Sequence, residues 1–435
     1  MRSSARRHFM TAQVWFAKVW RSINRVGGSL TRLAALVLVC LSLSWSGSAQ
    51  GLPCVNAALA TNDPKYPQQL IQVCIPPVGW NGQLVIYAHG FVAPQLPLAL
   101  PADELAVIGG NVTLAALLQS GFAFATTSFR KNGYAIEQGA EDIDQLLRYF
   151  KKTFVAPGSL KKTYLVGGSD GGLIATRLIE QFAQTYDGAL SLCAPMGGAA
   201  YQANYLGDFR VVFDYFFPSV FRDEFKAFEV PALAYQNWGN LSAGYVQDIA
   251  TALALNPSAA SQLFNVTRVA LNPQDLSGSA LQAALSLLFY SIWETPDLVA
   301  TARGIPYDNR LTFYLGSSND FALNFGVERV ASDANARSYL RHFYQPTGKL
   351  RQPLVSLHTV FDPVVPFNHE LVYLGLTTLA GHRQNLTILP TTSYGHCNFQ
   401  PAEVLGAFGL LVTQSNGQLS PQLKSLVSSA PKAME

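Results

Sequence analysis

Three side chains of this sequence have the types and the chain order that nucleophilic catalysis by serine requires. Ser169 lies between Gly167 and Gly171 in a Gly-x-Ser-x-Gly pattern, and Asp362 and His396 follow it along the chain. Such chemistry needs a base that takes the hydroxyl proton, an acid that orients this base, and donors that hold the oxyanion. We therefore predict that His396 deprotonates Ser169 and that Asp362 orients His396.

Each of these residues also has a purely structural interpretation. The serine pattern alone is a weak signal, because a glycine-rich loop can match it by chance. Asp362 precedes a proline and could simply begin a turn, in which case Asp320 or Asp297 would be the acid. His396 could be a buried structural histidine. Their positions relative to the predicted strands decide in favour of chemistry.

The elements that must position these side chains alternate between strands and helices. This alternation predicts an α/β fold with a largely parallel central sheet flanked by helices. Ser169, Asp362 and His396 each lie just beyond the carboxyl end of a predicted strand, where open α/β sheets place their sites. Apolar runs predict strands over 70–75, 84–88, 121–129, 163–166, 188–194, 353–359 and 386–389. Helical spacings cover 111–120, 139–154, 173–186, 369–379 and 402–412.

The oxyanion donors are expected from two turns. His89-Gly90-Phe91 follows the strand at 84–88, and the glycine permits close backbone approach, so the N–H of Phe91 is one predicted donor. The N–H of Asp170, directly after the serine, is the other. We interpret His89 as a structural loop residue. The Asp170 carboxylate is expected to favour the N-terminus of the following helix.

The alternation breaks over 198–349, which we predict to be a mainly helical cap inserted into an α/β core formed by 50–197 and 350–435. A stretch of this length is far longer than an ordinary connection and should form its own structure. Its aromatic residues around Phe213–Phe221 and Trp238 could line an acyl or aromatic pocket, or could pack the core of the cap.

The first 49 residues are typical of a secretory signal peptide. A basic segment is followed by a 13-residue apolar run and small residues, and such a run is too short to span a bilayer. We therefore predict a secreted or periplasmic protein without a stable membrane anchor. The segment holds seven of the 30 basic residues and none of the 27 acidic ones. The remainder is mildly acidic, and nothing in it predicts nucleic-acid binding.

Four cysteines lie beyond this segment: Cys54, Cys74, Cys193 and Cys397. An even number in an exported protein favours disulfides, and four cysteines allow three connectivities. No Cys-x-x-Cys or His-x-x-x-His spacing indicates a metal site. We expect neither a metal nor another cofactor.

The motifs His-Gly, Gly-Gly-Ser-Asp-Gly-Gly, Asp-Pro-Val-Val-Pro and Gly-His-Cys resemble those of a secreted member of the α/β-hydrolase superfamily. The resemblance covers about 70–197 and 350–412. It implies the α/β-hydrolase fold and a triad in the order serine, acid, histidine. The pair His396-Cys397 resembles the tannase and feruloyl esterase family, in which the cysteine bonds one that precedes the serine. Here Gly168 occupies that preceding position, so the pattern is half present.

A substitute partner for Cys397 is available. Cys193 ends the strand after the serine turn, and this strand should lie beside the serine strand, near the histidine loop. We therefore hypothesise a Cys193–Cys397 disulfide that tethers this loop, with Cys54–Cys74 as the second bond. Two buried free thiols at 193 and 397 are the alternative.

These observations together predict an exported serine hydrolase that cleaves small-molecule or polymeric carboxylic esters through an acyl-enzyme. A peptidase or amidase with the same triad is an alternative, which an acidic pocket for a substrate amine would favour. A catalytically inactive binding protein on the same fold is another alternative, which labelling by a fluorophosphonate would exclude.

Overall fold

The computed structural model describes residues 53–102, 108–239 and 244–434. The predicted signal peptide at 1–49 lies outside these residues. Eight described strands form one sheet in the order β1-β2-β4-β3-β5-β6-β7-β8. Strand β2 is antiparallel to β1 and β4, and every other neighbouring pair is parallel. The strands are β1 Cys54–Ala60, β2 Gln68–Cys74, β3 Gln83–Ala88, β4 Ala123–Thr127, β5 Lys162–Gly168, β6 Gly188–Leu192, β7 Leu354–Phe361 and β8 Leu386–Tyr394.

Helices cover both faces of this sheet. Successive side chains of a strand point to opposite faces, so Leu84 and Ile86 of β3 contribute to one apolar core while Val85 and Tyr87 contribute to the other. Strands buried on both faces explain the continuous apolar runs in the sequence. The described α-helices are α1 Gly110–Gln119, α2 Ile136–Thr153, α3 Asp170–Gln181, α4 Ala199–Phe216, α5 Tyr245–Leu255, α6 Pro257–Thr267, α7 Leu276–Trp293, α8 Thr295–Ala302, α9 Asp320–Gly326, α10 Ala334–Tyr344, α11 Asn368–Leu379, α12 Pro401–Gln414 and α13 Pro421–Leu426.

All seven predicted strands are present, and the structure adds β1. The sequence predicts no strand before residue 70, but β1 pairs with β2 from Cys54 opposite Cys74 to Ala60 opposite Gln68. As the edge strand of the sheet, β1 is only partly buried. Its sequence, Cys-Val-Asn-Ala-Ala-Leu-Ala, is mostly small residues and is interrupted by Asn56, so it lacks the continuous run of large apolar residues that marks a central strand.

Between β6 and β7 the described residues form helices α4 to α10 and no strand. This confirms a large, mainly helical insertion, while its predicted limits at 198 and 349 stay a prediction because 52–435 form one compact unit. The aromatic residues Phe213, Phe221 and Trp238 are buried and pack against other rings of the insertion. Helix α7 is apolar and long enough to cross a membrane, but it packs against α4, α5 and α8.

Candidate active site

Ser169 occupies the sharp turn between β5 and α3. Its φ of 54° and ψ of −125° lie outside the regions that non-glycine residues prefer. A Cβ at Gly167 would lie 2.0 Å from the Gly171 carbonyl oxygen, so residue 167 must lack a side chain for the turn to close. The Ser169 N–H donates to the carbonyl of Leu192 at 2.8 Å and anchors the turn on β6. The geometry is that of a nucleophile elbow.

His396 contacts both of its predicted partners. Its Nε2 lies 2.9 Å from Ser169 Oγ, and its Nδ1 lies 2.7 Å from Asp362 Oδ2. Because a carboxylate only accepts hydrogen bonds, Nδ1 carries the proton and Nε2 offers its lone pair to the serine hydroxyl. The three residues follow β5, β7 and β8, whose carboxyl ends meet at one edge of the parallel sheet.

Asp362 is fully buried but well supplied with donors. Its Oδ1 accepts from the backbone N–H groups of Val364 at 2.8 Å and Val365 at 3.0 Å. Burial alone would raise the pKa of Asp362, but the attraction of His396 and His358 outweighs burial and holds this pKa well below its usual range. The carboxylate is therefore ionised and able to support an imidazolium at His396.

The loop that carries His396 is attached at several points. Gly395 donates from its N–H to the Phe361 carbonyl at 3.1 Å and accepts from Thr359 Oγ1 at 2.8 Å. Cys397 is bonded to Cys193, whose Cα lies 5.3 Å away. Both predicted disulfides are thus present, since Cys54 is bonded to Cys74 as well.

The two predicted oxyanion donors belong to neighbouring backbone segments. A Cβ at Gly171 would lie 2.1 Å from the Ala88 carbonyl oxygen and 2.6 Å from that of His89, so the elbow packs directly on the end of β3. Asp170 is the first residue of α3, a position whose N–H has no partner within the helix. The Phe91 ring packs edge-on against Tyr290 of α7, with centroids 5.6 Å apart.

His89 has a structural role, as the sequence indicated. Its ring is buried and stacks on Phe129 with centroids 4.0 Å apart, and its Nδ1 lies 2.7 Å from the Gly90 carbonyl oxygen. Burial lowers the pKa of His89. The side chain stabilises the loop that presents Phe91.

The alternative acids have other partners. Asp297 Oδ2 accepts from Lys131 Nζ at 3.1 Å and from the Tyr134 N–H at 2.6 Å. Asp320 Oδ1 accepts from the backbone N–H groups of residues 316 and 317 at the start of α9. Of the acids that the sequence analysis considered for this role, Asp362 is the one that contacts His396.

Two acidic groups outside the predicted triad, Asp170 in the elbow and Glu294, interact electrostatically with each other. The side chain of Asp170 is half-buried, and burial raises its pKa to about 6, although the attraction of His396 opposes the rise. Glu294, between α7 and α8, is only 7% exposed. Burial, followed by the negative charges of Asp170 and Asp297, raises the pKa of Glu294 well above its usual range. The motifs of the sequence lie in the core, whereas Glu294 lies in the insertion, so no motif indicates this residue.

A second histidine lies behind Asp362. His358 Nε2 is 3.6 Å from Asp362 Oδ2, and His358 Nδ1 is 2.8 Å from Glu370 Oε1. His358 falls within the predicted strand over 353–359, and nothing in that pattern predicts its contact with Asp362. A polar residue within an otherwise apolar buried strand was the available signal.

Among the described residues, one group has its ligand atoms close enough together for a metal ion: Cys193, His396 and Cys397. The two sulfurs are bonded to each other as a disulfide and are not thiolate ligands. This cluster does not form a metal centre in the oxidised protein.

No family model and no curated protein matches the chain. Among solved structures it is similar to Candida antarctica lipase A in its closed state, at 14% identity and a TM-score of 0.47, covering 87% of this chain and 79% of the lipase. An esterase of Pyrococcus furiosus matches at 13% identity and a TM-score of 0.43, covering 84% and 91%. Feruloyl esterase B from Aspergillus oryzae matches at 14% and 0.43, covering 79% and 74%.

The mostly parallel eight-stranded sheet, the helices on both of its faces and the serine elbow after β5 are features of this chain itself. The helical insertion between β6 and β7 leaves the sheet continuous, so the ends of β5, β7 and β8 still share one edge. The protein has the α/β-hydrolase fold with a large helical insertion.

Proposed function

We propose that the protein is a serine hydrolase of carboxylic esters. The observation that carries this proposal is the hydrogen-bonded chain from Ser169 Oγ through His396 to Asp362, with lengths of 2.9 Å and 2.7 Å. The acid is buried and ionised, the base has its free nitrogen facing the hydroxyl, and the nucleophile lies on an elbow that packs on the end of β3, from which the proposed donor Phe91 follows. These parts are what acyl transfer by serine requires.

In the acylation step Ser169 Oγ forms a bond to the ester carbonyl carbon while its proton passes to His396 Nε2. The carbonyl π electrons move to the oxygen, which the N–H groups of Phe91 and Asp170 stabilise. When the intermediate collapses, the bond to the alcohol oxygen breaks and His396 returns the proton to that oxygen. Water then repeats the sequence on the acyl-enzyme and releases the carboxylic acid.

Asp362 contributes by orienting His396 and by stabilising the imidazolium that forms in each half-reaction. The Cys193–Cys397 bond supports the same geometry, because it attaches the residue after His396 to the end of β6. Two disulfides are typical of proteins in oxidising compartments. They support export to the periplasm or the extracellular medium as part of the proposal.

The test is Ser169→Ala assayed on p-nitrophenyl esters. We expect kcat to fall by at least about 10⁴-fold and labelling by a fluorophosphonate to disappear, while the circular dichroism spectrum stays that of the wild type. Ser159→Ala, in the loop before β5, is the matched control and should retain both. Wild-type turnover by Ser169→Ala would overturn the proposal, and absence of labelling in the wild type would favour an inactive binding protein.

A second candidate function is cleavage of amides whose acyl part carries a free amine. The observation that favours it is the pair of carboxyl groups at Asp170 and Glu294, whose negative charges disfavour each other beside the nucleophile. Glu294 forms no hydrogen bond with another described side chain, so an ammonium group placed near it would be a favourable partner.

Substrate pairs distinguish the two candidates. Aminoacyl p-nitroanilides and their N-acetylated forms should be compared with aliphatic p-nitrophenyl esters on the wild type and on Glu294→Gln. For an amine-directed amidase, acetylation of the substrate and the Glu294→Gln substitution would each raise KM by about tenfold or more. For an esterase, the substitution leaves the KM for aliphatic esters unchanged and the anilides remain poor substrates.

A further inference from the structure

The buried polar groups behind the triad include one that the proposed mechanism does not use. His358 lies on β7, four residues before Asp362, and its side chain is 0% exposed. Its Nδ1 lies 2.8 Å from Glu370 Oε1 on α11, and its Nε2 lies 2.9 Å from the Val365 carbonyl oxygen. Ser356 Oγ donates to the same Glu370 oxygen at 2.8 Å.

The partners of His358 determine its protonation. A backbone carbonyl only accepts hydrogen bonds, so Nε2 must carry a proton to bond Val365. Glu370 Oε1 accepts from Ser356 Oγ and likewise accepts the proton on Nδ1. With both nitrogens protonated the ring is an imidazolium, whose buried charge Glu370 and Asp362 compensate. Burial opposes this charge, but the two carboxylates outweigh it and raise the pKa of His358 to about 10.

His358 and His396 both lie close to the same oxygen of the Asp362 carboxylate. Oδ2 of Asp362 lies 2.7 Å from His396 Nδ1 and 3.6 Å from His358 Nε2. A permanent positive charge at His358 therefore partly neutralises the negative charge of Asp362 and repels a second positive charge at His396. Its effect is to favour neutral His396, the form that accepts the serine proton.

We propose that His358 is a positioning residue of the active site: a permanent imidazolium, held by Glu370 and Val365, that fixes the Asp362 carboxylate and keeps His396 in its neutral, basic form to lower pH. This inference rests on the proposed function, because it concerns the base of that reaction. The ionisable groups that face His358 are Asp362 on the loop after β7, Glu370 and His369 on α11, and His396 beyond Asp362.

His369 provides a matched control for a buried histidine. Its Nδ1 accepts from the Gly197 N–H at 3.0 Å, and its Nε2 lies 2.8 Å from Gln202 Oε1. A ring with one accepting nitrogen is neutral. Burial, with the repulsion from His358, lowers the pKa of His369 to about 3. The two histidines are eleven residues apart and equally buried, but they differ in charge.

The experiment is the pH profile of kcat/KM for wild type, His358→Gln, Glu370→Gln and His369→Gln on one p-nitrophenyl ester. Loss of the charge at His358 should move the midpoint of the acidic limb to higher pH by about one unit. Glu370→Gln removes a negative charge together with a partner of His358, so its midpoint should move less than that of His358→Gln. His369→Gln should leave the midpoint where it is. An unchanged midpoint in His358→Gln, or an equal shift in His369→Gln, overturns the proposal.

Nitrogen NMR of the wild type tests the proposal without any variant. Because His358 pairs with acceptors on both sides, one buried ring should keep two protonated nitrogens from pH 5 to pH 9. Loss of that signature below pH 8 would overturn the proposal. This readout is independent of turnover, so an inactive protein that shows the imidazolium would refute the proposed function and leave the charge of His358 established.

Discussion

Charged side chains are buried both at the carboxyl ends of β5, β7 and β8, here called the sheet edge, and in the helical insertion. The two regions pair these side chains in different ways. At the edge, Ser169 and His396 are 227 residues apart and His396 and Asp362 are 34 apart. In the insertion, Arg210 pairs with Asp214 one turn further along α4, at 2.9 Å. The first kind of contact exists only when the whole sheet has assembled, whereas the second is available to a single helix.

The surroundings of the two groups follow the same division. Arg210 is fully buried under the rings of Phe221 and Phe225 and donates to Ser291. It therefore connects helix α4 to helix α7 of the insertion. At the sheet edge Ser169 is only partly buried and the side chain of His396 is 12% exposed. Long-range pairing with access from outside indicates a reaction site, whereas local pairing without access indicates a structural one.

The largest expected effect tests the long-range pairing. Asp362→Asn should lower kcat on p-nitrophenyl esters by about 10³–10⁴-fold, because an amide in place of the carboxylate no longer fixes the Nδ1–H tautomer of His396. Asp320→Asn, which changes the fallback acid, should leave kcat within about twofold. Comparable losses in both variants would show that the two acids are not distinguished by their contact with His396.

The two disulfides offer the next contrast, in stability. They close chain separations of 204 and 20 residues, for which loop entropy predicts roughly 5 and 3 kcal/mol of stabilisation. The double variant Cys193→Ala/Cys397→Ala should therefore have the lower urea midpoint and should also lose activity, because Cys397 follows His396. Cys54→Ala/Cys74→Ala should keep wild-type kcat. Equal activity in both double variants would show that the Cys193–Cys397 bond does not support the geometry of the active site.

A third measurement concerns the local pair. Arg210→Met alone should reduce the free energy of unfolding by about 3–5 kcal/mol, because it leaves Asp214 buried without its partner. Arg210→Met/Asp214→Leu removes both charges and should recover most of that loss in urea denaturation. If the double variant were no more stable than the single one, the pair would have a role beyond charge compensation.

The smallest expected effect is on the pH dependence of stability. Burial raises the pKa values of two carboxyl groups to about 6, Asp170 at the sheet edge and Asp214 in the insertion. A raised folded pKa contributes stability below the unfolded value near 3.9, and this contribution is lost as the pH rises through about 6. Because Asp170 is half-buried, we expect Asp170→Asn to flatten the stability profile between pH 4 and pH 6.5 by about 1 kcal/mol. An unchanged profile would show that Asp170 is solvated.

Most of the sheet is predictable from the sequence because the signals of its strands are local. Continuous apolar runs marked seven strands, and all seven are present. Strand β1 lacks such a run because an edge strand buries only part of its surface. The sequence also leaves Asp297 and Asp320 open as acids. Which aspartate faces His396 depends on which strands are neighbours, and the spacing of residues along the chain does not encode this.

The sequence by itself determined the elbow. A Cβ at residue 167 or 171 would lie within about 2 Å of a backbone carbonyl oxygen, so glycine is required at both positions. This steric requirement is local and is therefore visible in the sequence. The sequence also predicted the contact of Asp362 with His396 and the Cys193–Cys397 bond, but it left alternatives open that only the tertiary structure excluded. Only the tertiary structure placed His358 and Glu370 behind Asp362. These are contacts between distant segments, and they follow from the order of β5, β6, β7 and β8 in the sheet.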